Sequence, residues 1–170
     1  MEYVDDVVAP ASSAEQCEEI IVACDSFTAQ HGLRLNEGPT KSAALTVGHT
    51  RYPADGAFCE VELYTYLGVT LDRFLTFQPL LQSLLNKGRD AFSSFWGMTE
   101  SLGLPIPWVA SLIPNRVVTK TLYGVEFLIG IADAEGLLNR MQVTWARHVL
   151  GISGTRAGST SLLLAACGWE

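Results

Sequence analysis

The chain lacks any run of the roughly 18 consecutive apolar residues that a membrane-spanning helix requires. Its most apolar stretch, 122–138, is interrupted by Glu126, Asp133 and Glu135, so no membrane partner is expected. It also lacks the basic amino-terminal region of a secretory leader. The first residues read Met-Glu-Tyr-Val-Asp-Asp, acidic where a leader must be basic, so secretion through a cleaved signal is not expected. Four cysteines are present (Cys17, Cys24, Cys59, Cys167), with no C-x2-C spacing and no paired histidines. Cys17 and Cys24 share one face of a helix and read as buried small hydrophobes in a reducing compartment. His31, His49 and His148 have no ligand spacing and are assigned to cap, loop and core. There are no low-complexity tracts and no repeats. Disorder is excluded as well, because 48% of the residues are hydrophobic and only 17% are charged.

The formal charge is −7, but it is uneven. Residues 1–70 hold 11 acids and 3 bases, whereas residues 71–170 hold 7 acids and 8 bases. A uniformly acidic surface would repel nucleic acid, and the second half does not have one.

The hydrophobic pattern gives a coarse α+β order. Tyr3-Val4-Asp5-Asp6-Val7-Val8 reads as a hairpin whose turn carries the acids. So little chain precedes Tyr3 that the segment reads as part of a longer sheet, hence of a fragment. Ser12-Ser13-Ala14-Glu15 offers a capping box for a helix over 14–31, with Gly32 as the residue that ends it. Short strands are predicted at Leu33–Leu35, Ser42–Val47, Phe58–Leu63 and Tyr64–Leu71, the last with a bulge or a close backbone approach at Gly68. Beyond Asp72 the period becomes helical. Leu80, Leu81, Leu84, Leu85, Gly88, Phe92 and Phe95 form one stripe, edged by Lys87 and Arg89. A break is expected at 103–107, Pro114 should end a helix, and Asn115 should cap another running to Ile129. Asp133 should start a helix carrying Leu137, Met141, Trp145, His148 and Val149. Residues 154–159 read as a linker and 161–166 as a last helical piece. The four tryptophans (Trp96, Trp108, Trp145, Trp169) are assigned to core or interface.

Asp5 and Asp6 are the chemically pointed feature. Two adjacent carboxylates in a tight turn repel each other, and a divalent cation relieves this. Hard oxygen ligands suit Mg2+, as in the polymerase arrangement in which metals flank a phosphoryl transfer. The plain alternative is a solvated Asp-Asp turn.

The surrounding residues resemble the reverse transcriptases of non-LTR (LINE-type) retrotransposons. Tyr3-Val4-Asp5-Asp6 is similar to the family's Y/F-x-D-D hairpin, and Gly32-Leu33-Arg34-Leu35-Asn36 to its G-L-x-L-N. Tyr66-Leu67-Gly68-Val69-Thr70-Leu71-Asp72 matches Y-L-G-V-x-L-D. Leu122-Tyr123-Gly124-Val125-Glu126 resembles L-Y-G-x-E. Leu138–Gly151 resembles the helix ending in L-x-G or L-G, and Leu163–Trp169 the L-L-A-x-x-G-W segment. The matches occur in order over almost the whole chain.

The resemblance implies a truncated polymerase palm (hairpin, helix, antiparallel strands) over 1–72, thumb-like helices over 73–130 and a helical connector over 131–170. Asp5 and Asp6 would be the catalytic, Mg2+-binding pair, Asp5 the more important. Tyr3 would pack under the primer end. Tyr66, Leu67 and Gly68 would form the primer-grip hairpin, with Lys87 and Arg89 as candidates for phosphate contact. Leu35, Asn36 and Lys41 would follow the palm helix, Lys41 toward the incoming deoxynucleotide triphosphate. In the whole enzyme the partners would be an RNA template and a DNA primer.

Two departures bear on activity. The family has a lysine directly before the threonine of L-N-x-x-K-T; here that position is Pro39 and the lysine is Lys41, which puts its role in orienting the triphosphate in doubt. The family's third carboxylate lies on a strand upstream of Y-x-D-D, and neither Asp25 nor Asp55 matches its motif. Two carboxylates do not fix two metals and a triphosphate, so no polymerisation by these residues alone is expected. The competing expectations are a retroelement remnant acting as a non-enzymatic binding module, and an unrelated acidic α+β protein.

Overall fold

The computed structural model describes residues 2–3, 6–36, 41–49, 51–152 and 159–169. The chain divides into two compact units: residues 1–65 with 71–75, and residues 66–70 with 76–170. The fold is α+β, as its periodicities indicate.

In the first unit, β1 (Glu2–Tyr3) and β2 (Asp6–Val7) pair antiparallel, Tyr3 opposite Asp6. The expected hairpin is present, but Asp6 opens the second strand instead of sitting in the turn. Helix α1 (Ala14–Gln30) starts at Ala14 as expected, but its capping box is shifted by one residue. Ser13 is the cap, its Oγ accepting from the Gln16 amide at 3.2 Å. Gln16 Oε1 reaches back to accept from the Ser12 amide at 2.7 Å. Glu15 falls one residue short of that return contact. At the far end the Leu33 amide bonds to Thr28 O at 2.8 Å, closing the helix at Gly32 as expected. Cys17 and Cys24 are half-buried, not buried, and α1 has no fully buried residue.

The strand expected at Leu33–Leu35 does not form; that segment is irregular. Strands β3 (Ala43–Leu45) and β4 (Cys59–Val61) pair in parallel, Ala43 opposite Cys59, which corrects the all-antiparallel expectation. The crossover between them is held by Glu60 on β4. Its carboxylate accepts from the Tyr52 amide at 3.2 Å and from the Thr46 hydroxyl. Buried Arg73 ties in the end of the unit, with Nε donating to Gly48 O at 2.6 Å and a guanidinium nitrogen 3.9 Å from Glu60. These are side-chain contacts across an irregular loop, which no strand periodicity encodes.

Strands β5 (Leu63–Tyr66) and β6 (Val69–Asp72) pair as a hairpin around Leu67-Gly68, as the resemblance implied, where periodicity alone read one strand with a bulge or a close approach. Asp72 is buried, and its Oδ1 accepts from the Phe74 amide at 3.0 Å, turning the chain out of the strand.

The second unit is helical. Helix α2 (Gln78–Ser101) buries the predicted stripe in full, and Thr99 extends it. Its first half packs with Leu128 and Ala134, its second half with Val109, Ile113, Val117, Trp145 and Val149. Helix α3 (Ile106–Ile113) does not stop at Pro114, contrary to expectation. It widens into a π-helical turn over Pro114–Val118, in which the Thr119 amide bonds to Pro114 O, and runs on into α4 (Thr119–Thr121). A proline removes one helical donor, and a wider turn re-registers the ladder around the gap. Asn115 is therefore inside this rod and caps nothing. The rod ends at Thr121, and only a 3-10 turn, Val125–Leu128, follows.

Helix α5 (Ala134–Val149) begins after Asp133, which enters it with φ +61° and no side-chain cap. Trp145 is buried, but His148 lies exposed on the rim, edge-on to the rings of Trp96 at 4.6 Å and Phe92 at 5.5 Å. Helix α6 (Thr160–Ala166) is capped by Ser159. Trp169 is buried, Trp96 half-buried, and Trp108 stands 67% exposed, so of the two assignments, core or interface, the core does not hold for it.

Candidate nucleic-acid interface

The tip of the β5–β6 hairpin is a two-residue loop, Leu67-Gly68, with φ of +47° and +81°. Positive φ at both positions is what such a loop needs to follow the twist of its strands. Glycine adopts it freely, whereas for leucine the left-handed region costs about 1–2 kcal/mol. Gly68 is fixed a second way. A β-carbon there would stand 3.2 Å from Cε1 of Tyr123, so the ring rests on the backbone of the turn. A β-carbon on Gly124 would likewise stand 3.2 Å from Val69 Cγ2. The close approach expected at Gly68 is thus present, in the turn of a hairpin.

Lys87 comes from one turn of α2 and donates from Nζ to Gly68 O at 3.4 Å. Arg89 lies two positions on, about 200° around the helix. It is exposed and donates to Asn86 Oδ1 at 3.4 Å on its own helix. Of the two basic residues flanking the stripe, Lys87 is the one brought to the turn. Tyr66, the last residue of β5, is half-buried, and its phenol oxygen is buried without a hydrogen-bond partner. Leaving such a group unpaired costs about 1–3 kcal/mol.

The other predicted site residues are in the first unit. Asp5 lies outside the described residues, as do Val4 and Pro39. Asp6 and Tyr3 are the paired backbone positions already given. Lys41 is exposed, and its carbonyl accepts from the Tyr64 hydroxyl at 2.8 Å. Gly32, Leu33, Arg34 and Leu35, with Asp25 and Ala29, line an open depression of about 580 Å³. Among the described residues no group of three or more His, Cys, Asp or Glu side chains is placed to hold a metal.

Electrostatically the units differ. The first holds 12 acidic and 4 basic residues, the second 6 acidic and 7 basic. The hairpin tip and Lys87 therefore belong to the nearly neutral unit. Burial raises the Cys167 thiol in the second unit, and the perturbed carboxyl and phenol groups are in the first. Hydrogen bonds from Thr46 and the Tyr52 amide, then Arg51, hold the Glu60 carboxyl below its usual range. Burial and the Glu18 carboxylate, which accepts its hydroxyl proton, push Tyr52 up to about 12. Both arrangements hold Tyr52 within the first unit.

Sequence reasoning passed over Tyr123. It stood in the L-Y-G-x-E match without a role, because nothing local says that its ring meets a glycine 55 residues earlier. No protein-family model matches this chain, and neither a curated protein nor a solved structure does.

Proposed function

We propose that this chain is the later part of the reverse transcriptase of a non-LTR retrotransposon, and that its task there is to hold the primer strand paired to an RNA template. The reading is carried by six motif matches in the family's order, from Tyr3-Val4-Asp5-Asp6 to Leu163–Trp169. It is supported by the meeting, within one unit, of three segments far apart in sequence: the turn of Y-L-G-V-x-L-D, Lys87, and the Tyr123-Gly124 pair of L-Y-G-x-E. A turn stripped of side-chain bulk at Gly68, beside an ammonium, presents backbone and charge to a strand, and phosphate contacts of that kind position a nucleic acid without reading its sequence.

In the full enzyme the reaction would be nucleotidyl transfer, with Mg2+ neutralising charge on the transferred group. Among the described residues no three carboxylate, histidine or cysteine side chains are grouped to hold the ion. The resemblance attaches that requirement to Asp5 and Asp6 together with a carboxylate that has no match in this sequence. Holding and placing the strand is what the residues on hand do. The reading as a non-enzymatic binding module is favoured by the same observation, since the helical unit has its own core and its own hairpin tip.

The experiment is primer extension. Purified 1–170 with Mg2+, deoxynucleotide triphosphates and a primed RNA template is expected to bind the template–primer and add no nucleotide. Template-dependent extension that disappears in Asp5→Ala would overturn the part about inactivity. Absence of binding would overturn the functional reading itself.

A further inference from the structure

We propose that Tyr123 is a stacking platform for an unpaired base of the nucleic-acid strand seated on the hairpin tip. The inference rests on the functional reading above and adds a residue and a contact chemistry to it.

Tyr123 follows the end of the α3–α4 rod, between exposed Leu122 and Gly124, whose φ of +86° turns the chain into the 3-10 segment. Its Cε1 and Cδ1 stand 3.2 and 3.6 Å from where a β-carbon of Gly68 would be, yet the residue is 57% exposed. One edge of the ring therefore lies against the glycine turn while more than half of the residue is open to solvent. A tyrosine has two side-chain torsions, and with its edge held little freedom is left to lose on binding. Lys87 is anchored at the same glycine, through Gly68 O. Among the described residues neither Lys87 nor Lys120, three positions before Tyr123, forms an ion pair; nor does Glu126, three positions after it.

A fixed, exposed aromatic ring beside an ammonium without a carboxylate partner is the pairing by which proteins hold single nucleic-acid strands: base on ring, phosphate on cation. A folded protein partner would favour a broad apolar area emptied of charge at its centre. Here the centre is a cation on a glycine turn. The charge balance of this unit, 7 basic to 6 acidic residues, permits a polyanion where the acidic first unit would oppose one. Base on ring and phosphate on ammonium would serve an RNA or a DNA strand, and the probes below separate the two.

The test uses the full 170-residue chain and fluorescently labelled 16-mers: single-stranded DNA, single-stranded RNA, and an RNA·DNA hybrid with an RNA overhang. By fluorescence anisotropy at low salt, Tyr123→Ala is expected to weaken binding about tenfold, the loss of one stacked base, while Tyr123→Phe stays within about twofold. Lys87→Gln should weaken binding and lower the salt slope by about one. A direct readout on the unaltered chain guards against misfolded variants. With 5-iodouracil at successive positions of either strand, irradiation should yield an adduct on the Tyr123 peptide, and the strand that yields it identifies the source. Binding by the wild type that Tyr123→Ala leaves unchanged, or an adduct that maps only elsewhere, overturns the assignment of Tyr123 and leaves the functional reading standing. No saturable binding to any of the three probes overturns the functional reading, and the role of Tyr123 with it.

Discussion

The indole of Trp169 donates from Nε1 to Ala110 O at 2.9 Å, the carbonyl whose i+4 partner in the rod would be Pro114, which has no N–H. The two residues are 59 positions apart in the chain. Gly168, at φ +68°, ends α6 with the Trp169 amide on Leu164 O at 2.9 Å and turns the tryptophan under α3. Leu163 and Cys167 are buried in the same cluster. The spacing of the L-L-A-x-x-G-W segment is thus the spacing of a helix end, a left-handed turn and a plug.

Trp169→Phe is expected to lower unfolding stability by about 1–3 kcal/mol, because the ring volume is largely kept while a buried carbonyl loses its donor. In a Pro114→Ala background, where residue 114 regains its N–H, the same substitution should cost measurably less. A urea-denaturation double-mutant cycle reads this; equal costs in the two backgrounds would show that the indole and the proline are not coupled.

Gly88 is the one glycine in the buried stripe of α2. A β-carbon there would stand 2.8 Å from the Met141 thioether and 2.9 Å from Thr121 Cγ2. Alanine gains about 0.5–1 kcal/mol in helix propensity, but overpacking costs about 1–3 kcal/mol. Gly88→Ala should therefore be destabilising on balance, and Gly88→Ala with Met141→Leu less so. A rise in melting temperature for the single variant would refute the packing of α2 against α4 and α5.

How far this architecture was legible follows from where the interactions lie. The α2 stripe, the closing turn at Gly32 and the hairpin at the amino end are local patterns, and each is found where its period places it. The π-helical turn is not local: proline at 114 reads as a stop, and the rod continues because a wider turn and Trp169 make up for the missing donor. The parallel pairing of β3 and β4 depends on Glu60, Tyr52 and Arg73 bridging an irregular loop. At the candidate interface, Gly68 and Lys87 were legible as a close approach and a charge. Tyr123 was not, because its partner is 55 residues away.

The first unit should lose stability at both ends of the pH scale. Glu60 has a lowered pKa, so its contribution is present above the unfolded value of 4.5 and fades as pH falls through the folded one. Tyr52, raised from 10.0 to about 12, contributes below the unfolded value, and that contribution is lost as pH rises through this interval. Urea midpoints measured across pH should show both declines. Glu60→Gln should flatten the acid limb and Tyr52→Phe the alkaline one. An alkaline limb unchanged in Tyr52→Phe would show that another group causes it.

Gly68→Ala should strain the hairpin tip by about 1–2 kcal/mol through its backbone alone, and it sets a methyl group against the Tyr123 ring. The expected outcome is weaker nucleic-acid binding with the α2–α5 core intact, read as unchanged near-ultraviolet dichroism of Trp145 and Trp169. Unaltered binding would separate the turn from the interface.

The most direct test of the proposal that this chain holds a primed template is the salt dependence of its binding to a labelled RNA·DNA hybrid. Saturable binding is expected at low ionic strength, with the logarithm of the association constant falling linearly against the logarithm of salt concentration, and more shallowly in Lys87→Gln. An association constant indifferent to salt, or no binding at the lowest ionic strength, would contradict it.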